Sequence, residues 1–135
     1  MSINTPTLIT FQQIGNEAIG HLSVGEIELQ LPFSPKRVYW VYGTPENVIR
    51  GGHANKFNKQ VIICVSGQVN IHLEDKSGKR LEFTLNSPNE GLFIPHLHWR
   101  NLSFSDNAIL FSLCSDKFKE EDYIRDIDEF RTFQE

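Results

Sequence analysis

The stretch that most restricts the fold is Arg50-Gly51-Gly52-His53-Ala54-Asn55-Lys56-Phe57-Asn58-Lys59-Gln60-Val61-Ile62-Ile63-Cys64-Val65-Ser66-Gly67. Paired glycines, a histidine, cations and amides come first, then a short apolar run that ends in the turn residues Ser66-Gly67. Alternate side chains of a strand share a face. His53, Asn55 and Phe57 are therefore expected to point one way, and Gln60, Ile62 and Cys64 to share a face of the strand that follows. Ionisable groups set directly before a buried β segment suit the mouth of a small β-barrel, where the wall is apolar and the rim carries chemistry.

Similar short runs recur along the chain. Segments 8–11, 21–31, 37–42, 60–65, 68–74, 80–85, 92–94, 98–102 and 108–114 read as strands, with 37–42 the richest in aromatic and β-branched residues. Asp75-Lys76-Ser77-Gly78 reads as a hairpin turn, 86–91 as another turn, 14–20 as irregular and 43–52 as a loop. The end differs, because Tyr123, Ile124, Ile127 and Phe130 recur at helical spacing behind Glu120, Glu121 and Asp122, which a helix dipole would favour. One short amphipathic helix docked on the sheet is predicted there. Short strands at close intervals followed by one helix give an all-β class, an antiparallel sandwich or barrel.

A chain of 135 residues carries one domain, taken as residues 1–135. Net charge of −4 gives no reason to expect nucleic acid or an anionic membrane as a partner. Cys64 and Cys114 each lie in an apolar run and read as free buried thiols. The start of the chain is polar, with no basic-then-apolar leader, and no span long enough for a membrane appears, so the cytoplasm is expected.

His53-x-Asn55, with Gln60 and Gly67 behind it, resembles the first cupin motif, in which His-x-His is followed by an acid and a glycine. Amides stand at two of the three ligand positions, and neutral amides are poor ligands beside imidazole and carboxylate. No metal is expected. His96-x-His98 offers two imidazoles on one face of an extended segment, but no carboxylate or third histidine is near in sequence and Pro95 breaks the pattern. They read as loop histidines near a rim, and His72 as solvent-facing on a hairpin. Arg37-x-Tyr39 places a guanidinium and a phenol on one strand face. With Arg50, Lys56 and Arg100 near rim elements, binding of phosphate or another polar ligand is expected.

Lys36-Arg37-Val38-Tyr39, Arg50-Gly51-x-His53-Ala54, Gln60-Val61, Ser66-Gly67, Asn86-Ser87-Pro88-x-x-Gly91-Leu92, Trp99 and Asp122-Tyr123-Ile124-Arg125 come in order. Together they resemble the sugar-nucleotide 3,4-ketoisomerases, metal-independent cupins acting on dTDP-4-keto-6-deoxyglucose. The resemblance implies a cupin-type antiparallel barrel (jelly roll) with a short C-terminal helix, no cofactor, a homodimer that often exchanges N-terminal strands, and a part in making 3-amino sugars for bacterial surface glycans. It implies a dTDP-linked keto-sugar as ligand. His53 would be the base, and Tyr39 the donor to the developing enolate oxygen. Arg37, Arg50, Lys56 and Gln60 would bind substrate, Arg100 would flank the sugar, and Trp99 would either wall the sugar or thymine or belong to the core.

Two departures stand out. The family motif reads His-Ala-His, its second histidine an acid/base, where this chain has Asn55. An amide cannot exchange a proton near neutral pH and only orients a hydroxyl or carbonyl. Either His53 performs both transfers, or a water or His98 supplies the second proton, or the chain binds a nucleotide sugar without isomerising it. Glu17-Ala18-Ile19-Gly20 replaces a segment that often carries an arginine.

Overall fold

The apolar run at 60–65 becomes the middle strand of a five-stranded sheet, the place where burial on both faces is greatest. A computed structural model of the chain describes residues 4–135; the first three residues of the polar start lie outside it. Strands β1 (Thr7–Thr10), β2 (Gln12–Asn16), β3 (Gly20–Val24), β4 (Arg37–Tyr42), β5 (Arg50–Asn55) and β6 (Gln60–Ser66) come first. They are followed by β7 (Val69–Glu74), β8 (Arg80–Leu85), β9 (Glu90–Ile94), β10 (Trp99–Phe104), β11 (Ile109–Cys114) and β12 (Tyr123–Ile124), and then by helix α1 (Ile127–Thr132). One sheet runs β1-β9-β6-β11-β4 and a second runs β12-β5-β10-β7-β8; β2 and β3 form a separate hairpin. The strand ladders are antiparallel.

The main core fills the space between the two five-stranded sheets. Ile62, Leu92 and Leu110 from the first meet Ile71, Leu102 and Phe104 from the second, all buried. Each such side chain contributes roughly 1.5–3 kcal/mol by leaving water. A second cluster (Phe11, Val61, Phe93 and neighbours) covers the outer side of the first sheet. A third, of Ala54, Leu97, Trp99, Ile124 and Phe130, seats α1 on the outer side of the second. No helix among the described residues is long and apolar enough to cross a membrane.

The C-terminal segment departs from expectation. Glu120–Asp122 form a single 3₁₀ turn, Tyr123 and Ile124 join the sheet opposite Asn55 and Ala54, and only Ile127–Thr132 are α-helical. Two strand residues and the first turn of a later helix can reproduce helical spacing. What decides is the free edge of β5, whose backbone groups need partners. Asp126 rather than the acids upstream caps the helix, its Oδ1 accepting from Asp128 N at 2.8 Å. Upstream, residues 14–20 belong to the β2–β3 hairpin, and the strand expected at 21–31 stops at Val24 because 26–31 fold back into a turn. Glu90 and Gly91, expected in a turn, already pair in β9. Gly51 and Gly52 lie inside β5 rather than in the loop before it. Gly51 has φ +91°, and a Cβ there would stand 2.7 Å from the Arg100 carbonyl oxygen, so the close approach of β5 to β10 requires glycine.

Candidate active site

Alternation along β4 turns Arg37, Tyr39 and Val41 inward and leaves Val38, Trp40 and Tyr42 exposed. β5 contributes Arg50, Gly51 and His53, β6 contributes Gln60 and Ile62, and β10 contributes Arg100 and Leu102. With Tyr39 and Val41, but not Arg37, these residues line a cavity of about 90 Å³ between the sheets. Ordinary small-molecule sites run to roughly 300–1,000 Å³, so this one accepts a fragment the size of a sugar ring or less, with the remainder of any larger ligand outside. Polar groups crowd its β4–β5 side, and Ile94, Phe104 and Leu110 close the apolar end.

His53 Nδ1 lies 3.3 Å from the Gly51 carbonyl oxygen. A carbonyl only accepts, so Nδ1 carries the hydrogen and Nε2 keeps its lone pair. The ring packs on Tyr123 with centroids 4.9 Å apart. Burial, and second the Arg100 charge, push its pKa down to about 3, opposed by the Gly51 carbonyl. The imidazole is therefore neutral at physiological pH.

Arg100 is 2% exposed. Nη1 donates to Gln60 Oε1, Nη2 donates to the His98 carbonyl at 3.1 Å, and Nε has no partner among the described residues. Burial draws its pKa downward. The ion pairs among the described residues do not include it. An uncompensated buried charge costs several kcal/mol, and a cavity holding one is suited to an anionic oxygen. Gln60 Nε2 donates to Tyr39 Oη at 2.7 Å and to Ser112 Oγ at 2.8 Å, with Cys114 Sγ at 3.7 Å. Both cysteines are free and buried.

The cavity brings together His53, Tyr39, Arg50, Gln60 and Arg100 of the residues singled out in the sequence, but the others do not line it. Asn55 is buried beside it, its Nδ2 donating to Asp122 Oδ2 at 2.9 Å and its Oδ1 without a hydrogen-bond partner among the described residues. Arg37 stands behind Tyr39, its guanidinium 5.9 Å from that ring and 5.7 Å from Phe118. Lys56 lies past the end of β5, with Nζ 5.4 Å from the Phe133 ring. Trp99 alternates with Arg100 and so faces the other way, packed on Phe130 at 6.0 Å. His98 lies in a separate pocket with His96 and Asp75, its Nδ1 donating to the His96 carbonyl at 2.9 Å. His72 is on the surface near Glu82.

Asp122 is the principal residue missed by local reasoning. It is buried, and its Oδ1 accepts from Phe57 N at 2.6 Å while its Oδ2 holds Asn55. Its place among three consecutive acids resembled a helix start, and only the pairing of β12 with β5 reveals its role. No group of three His, Cys, Asp or Glu side chains close enough to hold a metal ion occurs among the described residues.

Residues 4–135 match the family described as FdtA: WxcM-like, C-terminal. Over 127 residues the chain is 35% identical to the TDP-4-oxo-6-deoxy-alpha-D-glucose-3,4-oxoisomerase of Aneurinibacillus thermoaerophilus, covering 93% of this chain and 90% of that protein. It is similar to the crystal structure of QdtA, a sugar 3,4-ketoisomerase from Thermoanaerobacterium thermosaccharolyticum in complex with TDP. There the identity is 35% and the TM-score 0.88, over 93% of this chain and 91% of that one. The WlaRB TDP-quinovose 3,4-ketoisomerase from Campylobacter jejuni is 36% identical with a TM-score of 0.87, over 93% and 96%. The fold is thus the cupin-type antiparallel barrel with one short helix that the sequence resemblance implied. On this match, the chain belongs to the FdtA family.

Proposed function

We propose that the protein is a sugar-nucleotide 3,4-ketoisomerase that converts a dTDP-4-keto-6-deoxyhexose to its 3-keto isomer. The observation that carries this reading is a neutral His53, with a free Nε2, facing the same small cavity as the unpaired Arg100 cation. The C4 carbonyl acidifies the hydrogen on C3. His53 Nε2 takes that proton, and the electron pair moves onto the C4 oxygen, giving an enediolate. Arg100 and the Tyr39 hydroxyl stabilise the developing charge, which is where preorganised donors act most strongly. His53, now protonated, returns a proton to C4, and a proton passes from the C3 hydroxyl to the C4 oxygen, leaving the ketone at C3.

A base whose conjugate acid titrates near 3 in the empty site is weak. Negative charge growing on the substrate opposes the Arg100 contribution and raises its basicity as the reaction proceeds. Returning the proton through His53 also suits the placement of Asn55, an amide that cannot supply one. Arg50, exposed at the cavity's edge, is assigned to the diphosphate. Arg37 and Lys56, outside the cavity lining, are assigned to the ligand's outer portion, and Asn55 to fixing the approach to His53. A 3-keto sugar is the form an aminotransferase requires to install nitrogen at C3, so the product suits deoxyamino-sugar synthesis.

The reading includes one cupin domain across the chain, metal-independent chemistry and a cytoplasmic homodimer. Exposed Val38, Trp40, Tyr42, Val65 and Ile109 on the outer side of the first sheet support the dimer, since apolar surface of that extent favours a second copy. Light scattering then gives twice the 15.5 kDa chain mass, and a monomer would refute it. Activity is tested by incubating the protein with dTDP-4-keto-6-deoxyglucose in heavy water and following the ring protons by NMR. Solvent deuterium is expected at C3 of the recovered substrate and at C4 of the product, with the signal lost in His53→Asn. Tight binding without exchange would instead mark a nucleotide-sugar-binding module.

A further inference from the structure

We propose that Gln60 is a positioning residue rather than a substrate ligand: anchored by Arg100, its amide commits the Tyr39 hydroxyl to donating into the cavity. The inference rests on the isomerase reading and assigns a cause to the Tyr39 role within it.

The argument begins with the amide's orientation. Arginine has only donors, so the Gln60 atom facing Arg100 Nη1 is Oε1. That determines the flip, and Nε2 must face the first sheet, where Tyr39 Oη and Ser112 Oγ lie at 2.7 and 2.8 Å. An amide nitrogen has two hydrogens, and these two oxygens take them. Tyr39 Oη therefore accepts from Gln60, and its own hydrogen has to point elsewhere. No described residue accepts it, and the open side of the phenol is the cavity shared with His53 and Arg100. Gln60 itself is 3% exposed, with both hydrogens committed inside the protein.

The identity of the residue matters as much as its position. A carboxylate at 60 would accept the phenol's hydrogen, turning it away from the cavity, and would pair with Arg100. Both effects remove stabilisation from an enediolate oxygen. The amide does neither: it leaves the phenol a donor and the guanidinium without a counter-ion. When His53 withdraws the C3 proton, the electron pair arriving on the C4 oxygen meets Tyr39 O–H and Arg100 N–H, and no other reactant is consumed.

The test uses Gln60→Glu, a change of nearly the same shape, with Tyr39→Phe and the double variant. With dTDP-4-keto-6-deoxyglucose, Gln60→Glu is expected to lower kcat about 10²-fold while KM moves less than about threefold. Tyr39→Phe is expected to lower kcat about 10²-fold in the native background but less than about threefold on top of Gln60→Glu, because the donor has already been diverted. Equal Tyr39→Phe losses in both backgrounds, or an unchanged kcat in Gln60→Glu, would overturn the proposal. A packing defect alone would not erase the Tyr39 effect. Should the native protein bind nucleotide sugar without turning it over, the isomerase reading fails separately. Neutron diffraction then decides the orientation directly: a Tyr39 deuteron facing the cavity supports the proposal, and one facing Gln60 ends it.

Discussion

Acidification tests whether His53 is as desolvated as its packing indicates. Burial, reinforced by Arg100, moves the ring from 6.5 to about 3 in the folded protein, while in the unfolded chain it titrates near its ordinary value. Between these values the unfolded state binds a proton that the folded state refuses. The stability contributed is therefore complete above the unfolded value and is lost as pH falls toward the folded one. The loss follows RT ln(1 + 10^(6.5 − pH)), about 1.4 kcal/mol at pH 5.5 and about 2.7 kcal/mol at pH 4.5. Residual solvent access to the ring makes these upper values. His98 is shifted in the same direction by burial, so the acid loss of the native protein alone does not isolate His53. Comparison with His53→Asn does, since that change removes one titrating ring and leaves His98 in place. Urea unfolding is measured for both proteins at about pH 7.5 and about pH 5.5. The variant is expected to gain about 1.4 kcal/mol relative to the native protein over that interval. Parallel losses would show that the folded imidazole titrates normally, and the claim of a neutral, desolvated base would fall.

Two further outcomes follow from hydrogen bonding and sterics around the site. Asp122→Ala removes the acceptor for Asn55 Nδ2 and Phe57 N, which is expected to cost about 3–5 kcal/mol in urea unfolding. Asp122→Asn is expected to cost about half as much, since Asn55 can flip and present its oxygen. Gly51→Ala places a methyl 2.7 Å from the Arg100 carbonyl at a φ of +91°, so a loss of about 2–4 kcal/mol is expected. Its kcat should fall more than its KM changes, because the displaced backbone carries both Arg100 and the His53 hydrogen-bond acceptor.

The parts of this fold that were legible in the sequence are those in which one strand decides its own facing. Residues 37–42 alternate cleanly, and the structure half-buries Tyr39 and exposes Trp40 accordingly. Gln60 and Ile62 likewise share the cavity face. Trp99 and Arg100 show where such reasoning stops. Both are rare, large side chains next to each other, and only the register of β10 against β5 and β7 puts the arginine inside and the indole against α1. β12 is less legible still, because a two-residue strand has no periodicity of its own and exists by pairing with β5. Asp122 became functional support for the same reason: its partners lie about 65 positions away in sequence, at Phe57 and Asn55.

The amides at 55 and 60 are best understood together through charge. A cupin motif with histidine and an acid at these places would collect ligands for a cation; here the cation is already covalently present, as Arg100. Gln60 binds that guanidinium through a neutral oxygen, so the charge is oriented without being cancelled. Asn55 diverts the nearby Asp122 carboxylate into hydrogen bonds with itself and the 57–58 backbone, which keeps a competing anion occupied outside the cavity lining. The net result is a small chamber with one buried positive charge, a second cation (Arg50) at its edge, and one neutral base. Such a chamber stabilises a substrate most when the substrate becomes negative. That is the electrostatic condition of an enediolate rather than of a ketone, so the same two substitutions that weaken a metal site favour proton transfer between neighbouring carbons.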